Sequence, residues 1–454
     1  MRAGPGTWLR SCGPALLLLA CGRSDAPAAP PATPVILISL DTCRSDRLAP
    51  YGGSPDTSPV LARLAAESVT FTDCLAQSSN TGPSHRSLFT GQFVHRHGHR
   101  LQAYTRSPYT LAGLLHAAGY QTAGFTGGGF LDPGLGFDQG FDVYKSKNDS
   151  GPSPVRRGFQ AVLPQAEGWY AQRDPSRPFF LFLHTYDIHC PYWPAQPWRE
   201  RFQGNYQGSL DLKALCGWEA FASLFEGGKD LPEEDRDYLQ RMYDGNIAMA
   251  DELLGRFLDR LRADGTLDRS LLIVLSDHGE SLGEHRWVGH NQMWEEQLQV
   301  PLLIRFPGAA HAGTICDAPV MLIDVLPTIL DYLQLPAPPG VQGESLLPVL
   351  DGARQFPERL RISEHLDQVS FRFDDRWKLI LSGSGSSCFD LQADPGETRA
   401  LQDAQPGLLA RYQEFRAATA AEDQRFRGAA LADPIDEELA RQLTELGYAD
   451  FEPQ

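Results

Sequence analysis

The sequence lacks a hydrophobic run long enough to cross a bilayer, an excess of basic residues and any Cys-x-x-Cys pair. The apolar stretch from Pro14 to Ala20 is too short for a transmembrane helix. With 40 Lys and Arg residues against 57 Asp and Glu residues, the formal net charge is −17. This charge disfavours nucleic acid as a partner, because most of the surface repels phosphate. The missing Cys-x-x-Cys pairs exclude the common zinc and redox cysteine motifs.

The N-terminus has the features of an exported protein. Arg2 and Arg10 precede the apolar stretch, and this pattern predicts a signal peptide over residues 1–20. The stretch ends in Leu18-Leu19-Ala20-Cys21, which resembles the lipobox of bacterial lipoproteins, in which the cysteine is acylated. We therefore expect a lipid on Cys21, membrane anchoring and a place in the bacterial cell envelope; a plain cleaved signal is the alternative. Residues 21–33, rich in Ala and Pro, predict an extended tether.

The remaining chain is long enough for one large domain and a smaller one. A composition of 42% hydrophobic and 21% charged residues is that of an ordinary globular protein. We predict a catalytic α/β domain over residues 34–357. From residue 358 the pattern changes to short strands such as Trp377 to Leu381, with helices near 405–424 and 435–446. This change predicts a C-terminal α+β subdomain over residues 358–454.

Four apolar runs have the pattern of strands that are covered on both faces of a parallel sheet, namely residues 34–40, 179–183, 270–275 and 301–306. Helical spacing of apolar residues predicts helices over 58–67, 110–118, 232–263 and 318–333. The first run ends at Asp41, and the third is followed by Asp277. Ligands of open α/β sheets bind beyond the carboxyl ends of the strands, so we expect these two aspartates to share one site.

Five motifs occur in one order along the chain: Leu40-Asp41-Thr42, Thr81-Gly82-Pro83-Ser84-His85-Arg86, Ser276-Asp277-His278-Gly279-Glu280, Val300-Pro301-Leu302-Leu303-Ile304, and Phe389-Asp390-Leu391 with Asp394-Pro395-Gly396-Glu397. In this order and near this spacing they resemble the sulfatase family of the alkaline phosphatase superfamily. The resemblance extends over nearly the whole mature chain. It implies an alkaline-phosphatase/sulfatase-like fold, with a large, mixed, mostly parallel sheet flanked by helices, and an esterase activity.

The resemblance also implies a metal site. Asp41, Asp277 and His278 stand where the family's metal ligands stand, and Thr81 stands where a residue bridges metal and substrate. Two carboxylates and an imidazole favour Ca²⁺, Mg²⁺ or Mn²⁺ over Zn²⁺. Coordination to a cation activates a hydroxyl as a nucleophile. The alternative for Thr81 is that it caps the N-terminus of a helix.

The chain departs from the family at several positions. Sulfatases carry at position 81 a cysteine or serine that is oxidised to formylglycine, and Thr81 cannot yield that aldehyde. A threonine ester must be broken by attack of water on the central atom, which favours phosphoryl chemistry, as in Thr-dependent phosphodiesterases and phosphoethanolamine transferases. His85 replaces an arginine, His290 replaces a lysine, and residues 125–130 replace a Lys-x-x-His segment. His189 retains the family's oxyanion-binding histidine.

Together these features predict a metal-dependent hydrolase of sulfate or phosphate esters with Thr81 as nucleophile. His85, His189 and His290 are the predicted catalytic histidines, and either His189 or His290 protonates the leaving alcohol. One cation suits a monoanionic group, a sulfate monoester or a phosphate diester, carried by a small molecule, glycan or lipid. A second metal at Asp187, His189 and His290 would instead suit phosphate monoesters. The alternatives are a phosphoryl transferase and a catalytically inactive, anion-binding envelope lipoprotein.

The sequence leaves other residues open. Arg44 either reaches the anion or pairs with Asp46, and His95, His97 and His99 are interpreted as structural. Six cysteines of the body, at positions 43, 74, 190, 216, 316 and 388, allow 15 disulfide pairings, none of which the sequence selects. The alcohol portion of the substrate and the oligomeric state have no signature in the sequence.

Overall fold

The first strand of the body shows why its sequence is apolar throughout. Successive side chains of a strand point to opposite faces of the sheet. Val35 and Leu37 accordingly belong to the hydrophobic core on one face, and Ile36 and Ile38 to the core on the other. Both faces are covered, as the uninterrupted apolar run predicts.

The computed structural model describes residues 1, 33–101, 103–146, 158–350, 352, 359–373, 376–401, 406–431, 435 and 437–446. The predicted signal peptide and tether, with Cys21, lie outside the described residues apart from Met1 and Thr33. None of the helices in these ranges combines the length and the apolar character that a membrane span requires.

The strands are β1 (Val35–Leu40), β2 (Val69–Leu75), β3 (Thr105–Arg106), β4 (Gln121–Phe125), β5 (Val143–Lys145), β6 (Phe179–Thr185), β7 (Leu271–Leu275), β8 (Ser281–Leu282), β9 (Val288–Gly289), β10 (Gln299–Arg305), β11 (Thr314–Cys316), β12 (Val320–Met321), β13 (Arg361–His365), β14 (Gln368–Arg372), β15 (Trp377–Ser382), β16 (Gly385–Asp390) and β17 (Ala429–Ala430). The main sheet has the order β11-β2-β10-β7-β1-β6-β4-β5, with β12 also beside β2. Strands β13 to β16 form a second, antiparallel sheet.

The helices are α1 (Pro59–Ala65), α2 (Thr81–Thr90), α3 (Val94–His97), α4 (Leu111–Ala117), α5 (Phe159–Gln172), α6 (Trp198–Phe202), α7 (Trp218–Ser223), α8 (Glu233–Ala263), α9 (Thr266–Arg269), α10 (Glu295–Leu298), α11 (Val325–Tyr332), α12 (Leu347–Leu350), α13 (Pro406–Arg425) and α14 (Glu437–Glu445). Helices α5 and α8 pack on one face of the main sheet, and α2, α4 and α11 pack on the other. This is the layered α/β arrangement that the sequence predicts.

The centre of the main sheet is parallel. Strand β1 pairs in parallel with β6 on one side and with β7 on the other, whereas β10 runs antiparallel to both β7 and β2. The predicted mixed, mostly parallel sheet with a smaller C-terminal subdomain is therefore confirmed. The carboxyl ends of β1, β6 and β7 lie at the same edge, where Asp41 and Asp277 follow their strands.

The predicted helix over residues 318–333 is wrong in its first half. Val320 and Met321 form β12 and pair with Cys74 and Leu75 of β2. A short 3-10 turn over Leu322–Asp324 follows, and the helix begins only at Val325. The apolar residues of this segment complete a sheet edge, and apolar spacing alone does not distinguish that from one face of a helix.

The C-terminal sheet is tied to the main domain by a buried charge cluster. Lys378 of β15 is fully buried, and its Nζ lies 3.0 Å from Glu295 Oε1 and 2.7 Å from Glu397 Oε1. Arg372 of β14 binds the other oxygen of Glu295 at 2.8 Å. Because Glu295 begins α10, these ion pairs fix the subdomain against the segment that leads into β10.

We expect Lys378→Met to destabilise the protein by about 3–5 kcal/mol, because it leaves Glu295 and Glu397 buried without their shared cation. Arg376→Met is the matched control, since Arg376 pairs with Asp390 at 2.7 Å but its side chain is 48% exposed; its loss should cost at most about 1 kcal/mol. Denaturant unfolding measures both free energies. Equal losses in the two variants would contradict the role given to the buried cluster.

Candidate active site

Thr81 lies at the centre of the site. It is the first residue of α2, and the preceding Asn80 takes the N-cap position. The Thr81 hydroxyl donates to Asp41 Oδ2 at 3.1 Å and lies 3.3 Å from His278 Nε2. The hydroxyl therefore points towards the predicted metal ligands and does not cap the helix.

Asp41 and Asp277 form a buried carboxylate pair beside that hydroxyl. Both side chains have no exposed surface. Asp41 Oδ1 and Asp277 Oδ2 are buried without a hydrogen-bond partner. Burial raises the pKa of both carboxyl groups, and the pKa of Asp277 is raised further by the charge on Asp41.

His278 completes a group suited to a cation. Its Nδ1–H donates to the carbonyl of Gly279 at 3.0 Å, so in the neutral ring Nε2 has the lone pair that a cation needs. One ligand atom from each of Asp41, Asp277 and His278 lies within 4.8 Å of the others. Burial lowers the pKa of His278, but the charges on Asp277 and Asp41 outweigh this effect and raise it. The donor set and the unpartnered oxygens fit a divalent cation.

His85 lies behind Thr81. Its Nδ1–H donates to the Thr81 carbonyl at 2.9 Å, and its Nε2 accepts from Ser39 Oγ at 2.9 Å. Burial lowers the pKa of His85 to about 4. Both ring nitrogens are thus held by the protein, and the geometry makes His85 a support for the first turn of α2 instead of a group in contact with substrate.

His184 is a site residue that the sequence reasoning missed. It lies on β6, its Nε2–H donates to Asp41 Oδ2 at 3.0 Å, and burial lowers its pKa to about 4. His184 pairs in register with Ser39 of β1. In the sequence, the apolar run of residues 179–183 is followed by His184, just as the run of residues 34–40 is followed by Asp41. This parallel could have identified His184 as a candidate site residue.

Two more histidines face each other across the site. The rings of His189 and His290 lie 5.3 Å apart, and the ring of His290 lies 4.7 Å from that of His278. His189 Nδ1–H donates to the Cys190 carbonyl at 2.9 Å, and its buried Nε2 has no hydrogen-bond partner. His290 Nδ1 lies 2.8 Å from Glu280 Oε1, and burial raises the pKa of this glutamate to about 6.

Asp187 does not join these histidines. Its Oδ2 accepts from the backbone N–H of Phe159 at 2.8 Å and from Thr185 Oγ1 at 2.6 Å. The carboxylate thus binds the start of α5. Within the described ranges, Asp187 is in none of the groups of side chains close enough to share a metal ion.

The remaining candidate groups lie outside the site. Arg44 binds Asp46 at 2.8 Å and Glu284 at 2.8 Å, so of the two alternatives the structure shows the ion pair. His95 pairs with Glu364, His97 with Ser87, and His99 accepts from the backbone N–H of Thr105, in agreement with their structural interpretation. A disulfide joins Cys190 to Cys216, and the buried cysteines 43, 74, 316 and 388 are free thiols.

Comparison with known proteins shows the family of the chain. The sulfatase family model matches residues 33–335, and the model for the C-terminal region of N-sulphoglucosamine sulphohydrolase matches residues 283–407. The chain belongs to the sulfatase family. With its family it is a hydrolase of ester bonds.

One curated protein and two solved structures illustrate what the chain is similar to, and the two structures show the similarity of the fold. The N-acetylglucosamine-6-O-sulfatase of Bacteroides thetaiotaomicron is 27% identical over 400 residues, which cover 71% of this chain and 72% of that protein. A solved complex with D-glucosamine-2-N,6-O-disulfate as substrate has a TM-score of 0.69 at 22% identity and covers 87% of this chain and 98% of that one. The phosphonate monoester hydrolase of Agrobacterium radiobacter has a TM-score of 0.69 at 21% identity, with 86% and 96% coverage.

A divalent cation is expected to raise the thermal midpoint of the wild-type protein by several degrees, because it binds only the folded state. In Asp277→Asn this rise should disappear, whereas the metal-free variant should be at least as stable as the metal-free wild type, since one buried charge is removed. Asp46→Asn is the control, because Asp46 pairs with Arg44 away from the site. Thermal unfolding with and without a chelator measures these shifts, and an unchanged response in Asp277→Asn would contradict the assignment.

Proposed function

We propose that the chain is a metal-dependent hydrolase of monoanionic sulfate or phosphate-type esters in which Thr81 is the nucleophile. The observation that carries the proposal is the position of the Thr81 hydroxyl, 3.1 Å from Asp41 Oδ2 and 3.3 Å from His278 Nε2. A hydroxyl placed at the centre of a cation-binding group is activated for attack.

Asp41, Thr81, Asp277 and His278 would hold the cation, and their hard donors favour Ca²⁺, Mg²⁺ or Mn²⁺. When bound, the ion lowers the pKa of the hydroxyl and neutralises charge on the ester. The unpartnered oxygens of Asp41 and Asp277 support its presence, because two buried carboxylates without a cation are costly.

In the proposed reaction, Thr81 Oγ1 transfers its proton to Asp41 Oδ2 and bonds to the sulfur or phosphorus atom. The bond from that atom to the leaving alcohol breaks as the alcohol takes the Nε2 proton of His189 in its doubly protonated form, which leaves a neutral ring with Nδ1–H on the Cys190 carbonyl. Water then attacks the central atom and gives a proton to His189 Nε2, while the bond from that atom to Thr81 Oγ1 breaks and Oγ1 takes back its proton from Asp41 Oδ2. His189 is favoured as the donor because its Nδ1 is fixed by a carbonyl while its Nε2 is unpartnered.

His85 and His184 act as positioning residues in this proposal. His85 donates a hydrogen bond to the Thr81 carbonyl. His184 donates one to Asp41 Oδ2, the same oxygen that accepts from the Thr81 hydroxyl. Both have pKa values of about 4 because they are buried. They are therefore neutral at physiological pH and add no positive charge for the substrate.

The charge of the site supports a monoanionic substrate. The two carboxylates of Asp41 and Asp277 balance the charge of one divalent cation. The guanidinium of Arg44 is already paired with the carboxylates of Asp46 and Glu284. Little positive charge is left for a dianionic phosphate monoester. We propose phosphate diesters as the first candidate, because Thr81 cannot become formylglycine. Sulfate monoesters are the second candidate, because the relative from Bacteroides thetaiotaomicron is named as a sulfatase.

We also propose that the protein is exported and that a lipid on Cys21 anchors it in a bacterial envelope. The disulfide between Cys190 and Cys216 supports export, because such bonds persist in oxidising compartments.

Replacing Thr81 by valine, which has the same shape without the hydroxyl, should lower turnover at least about a thousandfold. Thr81→Ser keeps a hydroxyl and should retain most of the activity lost in Thr81→Val. Turnover is measured on chromogenic phosphate diesters, sulfate monoesters, phosphonate monoesters and phosphate monoesters. Undiminished activity in Thr81→Val would refute the nucleophile.

The same panel tests the substrate class. We expect diesters or sulfate monoesters to rank above phosphate monoesters, because the site neutralises one negative charge. A preference for phosphate monoesters would overturn the charge argument. A wild-type protein inactive on every ester would favour the anion-binding alternative, and product formed only with a second alcohol would favour a transferase.

A further inference from the structure

The C-terminal helix α14 lies beyond both segments that match the family, which end at residues 335 and 407. It is docked firmly, because Leu439 and Leu443 are buried in the core that also contains Phe130 and Leu131. A helix that lies beyond the matched segments and is buried beside Phe130 and Leu131 has a position that the proposed reaction does not explain.

The end of α14 contacts the glycine segment that replaces the family's Lys-x-x-His. Gln442 Oε1 accepts from the backbone N–H of Gly129 at 3.2 Å. Gly129 has φ +60°, and a Cβ there would overlap the side chain of Leu446 and lie 3.0 Å from Tyr186 Oη. The glycines thus allow α14 and Tyr186 to approach the same piece of backbone.

Two paths lead from this contact to His189. In the first, Gly129 packs against Tyr186, whose ring lies 5.6 Å from the ring of His189 in an edge-to-face arrangement. In the second, the Leu446 carbonyl oxygen lies 3.7 Å from Sγ of Cys216, which is bonded to Cys190. The Cys190 carbonyl is the group that accepts from His189 Nδ1.

We infer that α14 is a positioning element for His189, acting through Gln442 and Leu446. This inference rests on the proposed function, in which His189 protonates the leaving alcohol. Because the helix restrains the segments on both sides of His189, it holds Nε2 where the proton is needed. Loosening α14 should then weaken proton transfer while the Thr81 and cation machinery stays in place.

The consequence is a specific kinetic pattern. A good leaving group such as 4-nitrophenol departs without a proton, whereas phenol departs poorly unless it is protonated. Loss of positioning should therefore slow phenyl esters more than 4-nitrophenyl esters. A general loss of folded protein would slow both by the same factor.

The test uses the full-length protein with the variants Gln442→Met, Gln442→Glu and Leu446→Ala. Gln442→Met keeps the length of the side chain without the acceptor, and Gln442→Glu restores an acceptor for Gly129. Thr444→Ala is the matched control, because Thr444 is on the exposed face of the same helix. His189→Gln sets the size of the effect expected when the donor is absent.

We expect the ratio of kcat/KM for 4-nitrophenyl over phenyl esters to rise about tenfold or more in Gln442→Met and Leu446→Ala, and to stay near the wild-type value in Gln442→Glu and Thr444→Ala. If the ratio rises in His189→Gln but in neither helix variant, the inference about α14 is overturned and the proposed role of His189 stands. If it does not rise in His189→Gln either, the proposed proton donor is wrong.

Discussion

The structure depends on one electrostatic constraint: two carboxylates, Asp41 and Asp277, are buried next to each other without exposed surface. Two of their oxygens have no hydrogen-bond partner, and burial raises the pKa of both groups. Such a pair is costly unless a cation or protons compensate the charge. The arrangement therefore has a functional meaning, because a fold selected for stability alone would not place these two side chains together.

The fold supplies the geometry that this constraint requires. Adjacent parallel strands end at a common edge, so β1 and β7 bring Asp41 and Asp277 together although 236 positions separate them. Helix α2 starts at the same edge and presents the Thr81 hydroxyl. His85 donates a hydrogen bond to the Thr81 carbonyl, and His184 donates one to the Asp41 carboxylate. Elements from the C-terminal part pack against this domain, the β13–β16 sheet through the ion pair of Lys378 with Glu295 and α14 through the contact of Gln442 with Gly129.

Much of this arrangement could be predicted from the sequence, because buried strands and amphipathic helices have patterns in adjacent residues. Apolar runs followed by Asp41 and Asp277 predicted two buried strands and the acidic residues at their ends. The predicted helix over 232–263 agrees within one residue with α8, which spans Glu233–Ala263. Strands β2 and β4 were missed, since the Thr and Gly residues in β4 obscure its pattern. The role of His85 and the contact of His184 with Asp41 could not be predicted from the sequence, because they depend on which distant groups form hydrogen bonds with each ring nitrogen. The contact of Gln442 with Gly129 joins residues 313 positions apart, and that of Leu446 with Cys216 joins residues 230 positions apart. The periodicity of apolar residues carries no information on contacts over such separations.

The central claim is that Asp41, Thr81, Asp277 and His278 surround one ion. The most direct test is anomalous diffraction from crystals of the wild-type protein grown with Mn²⁺. We predict a single peak within about 2.0–2.6 Å of an atom from each of these four side chains. A peak at His189 and His290, or a strong peak that leaves Thr81 out of coordination range, would contradict the account.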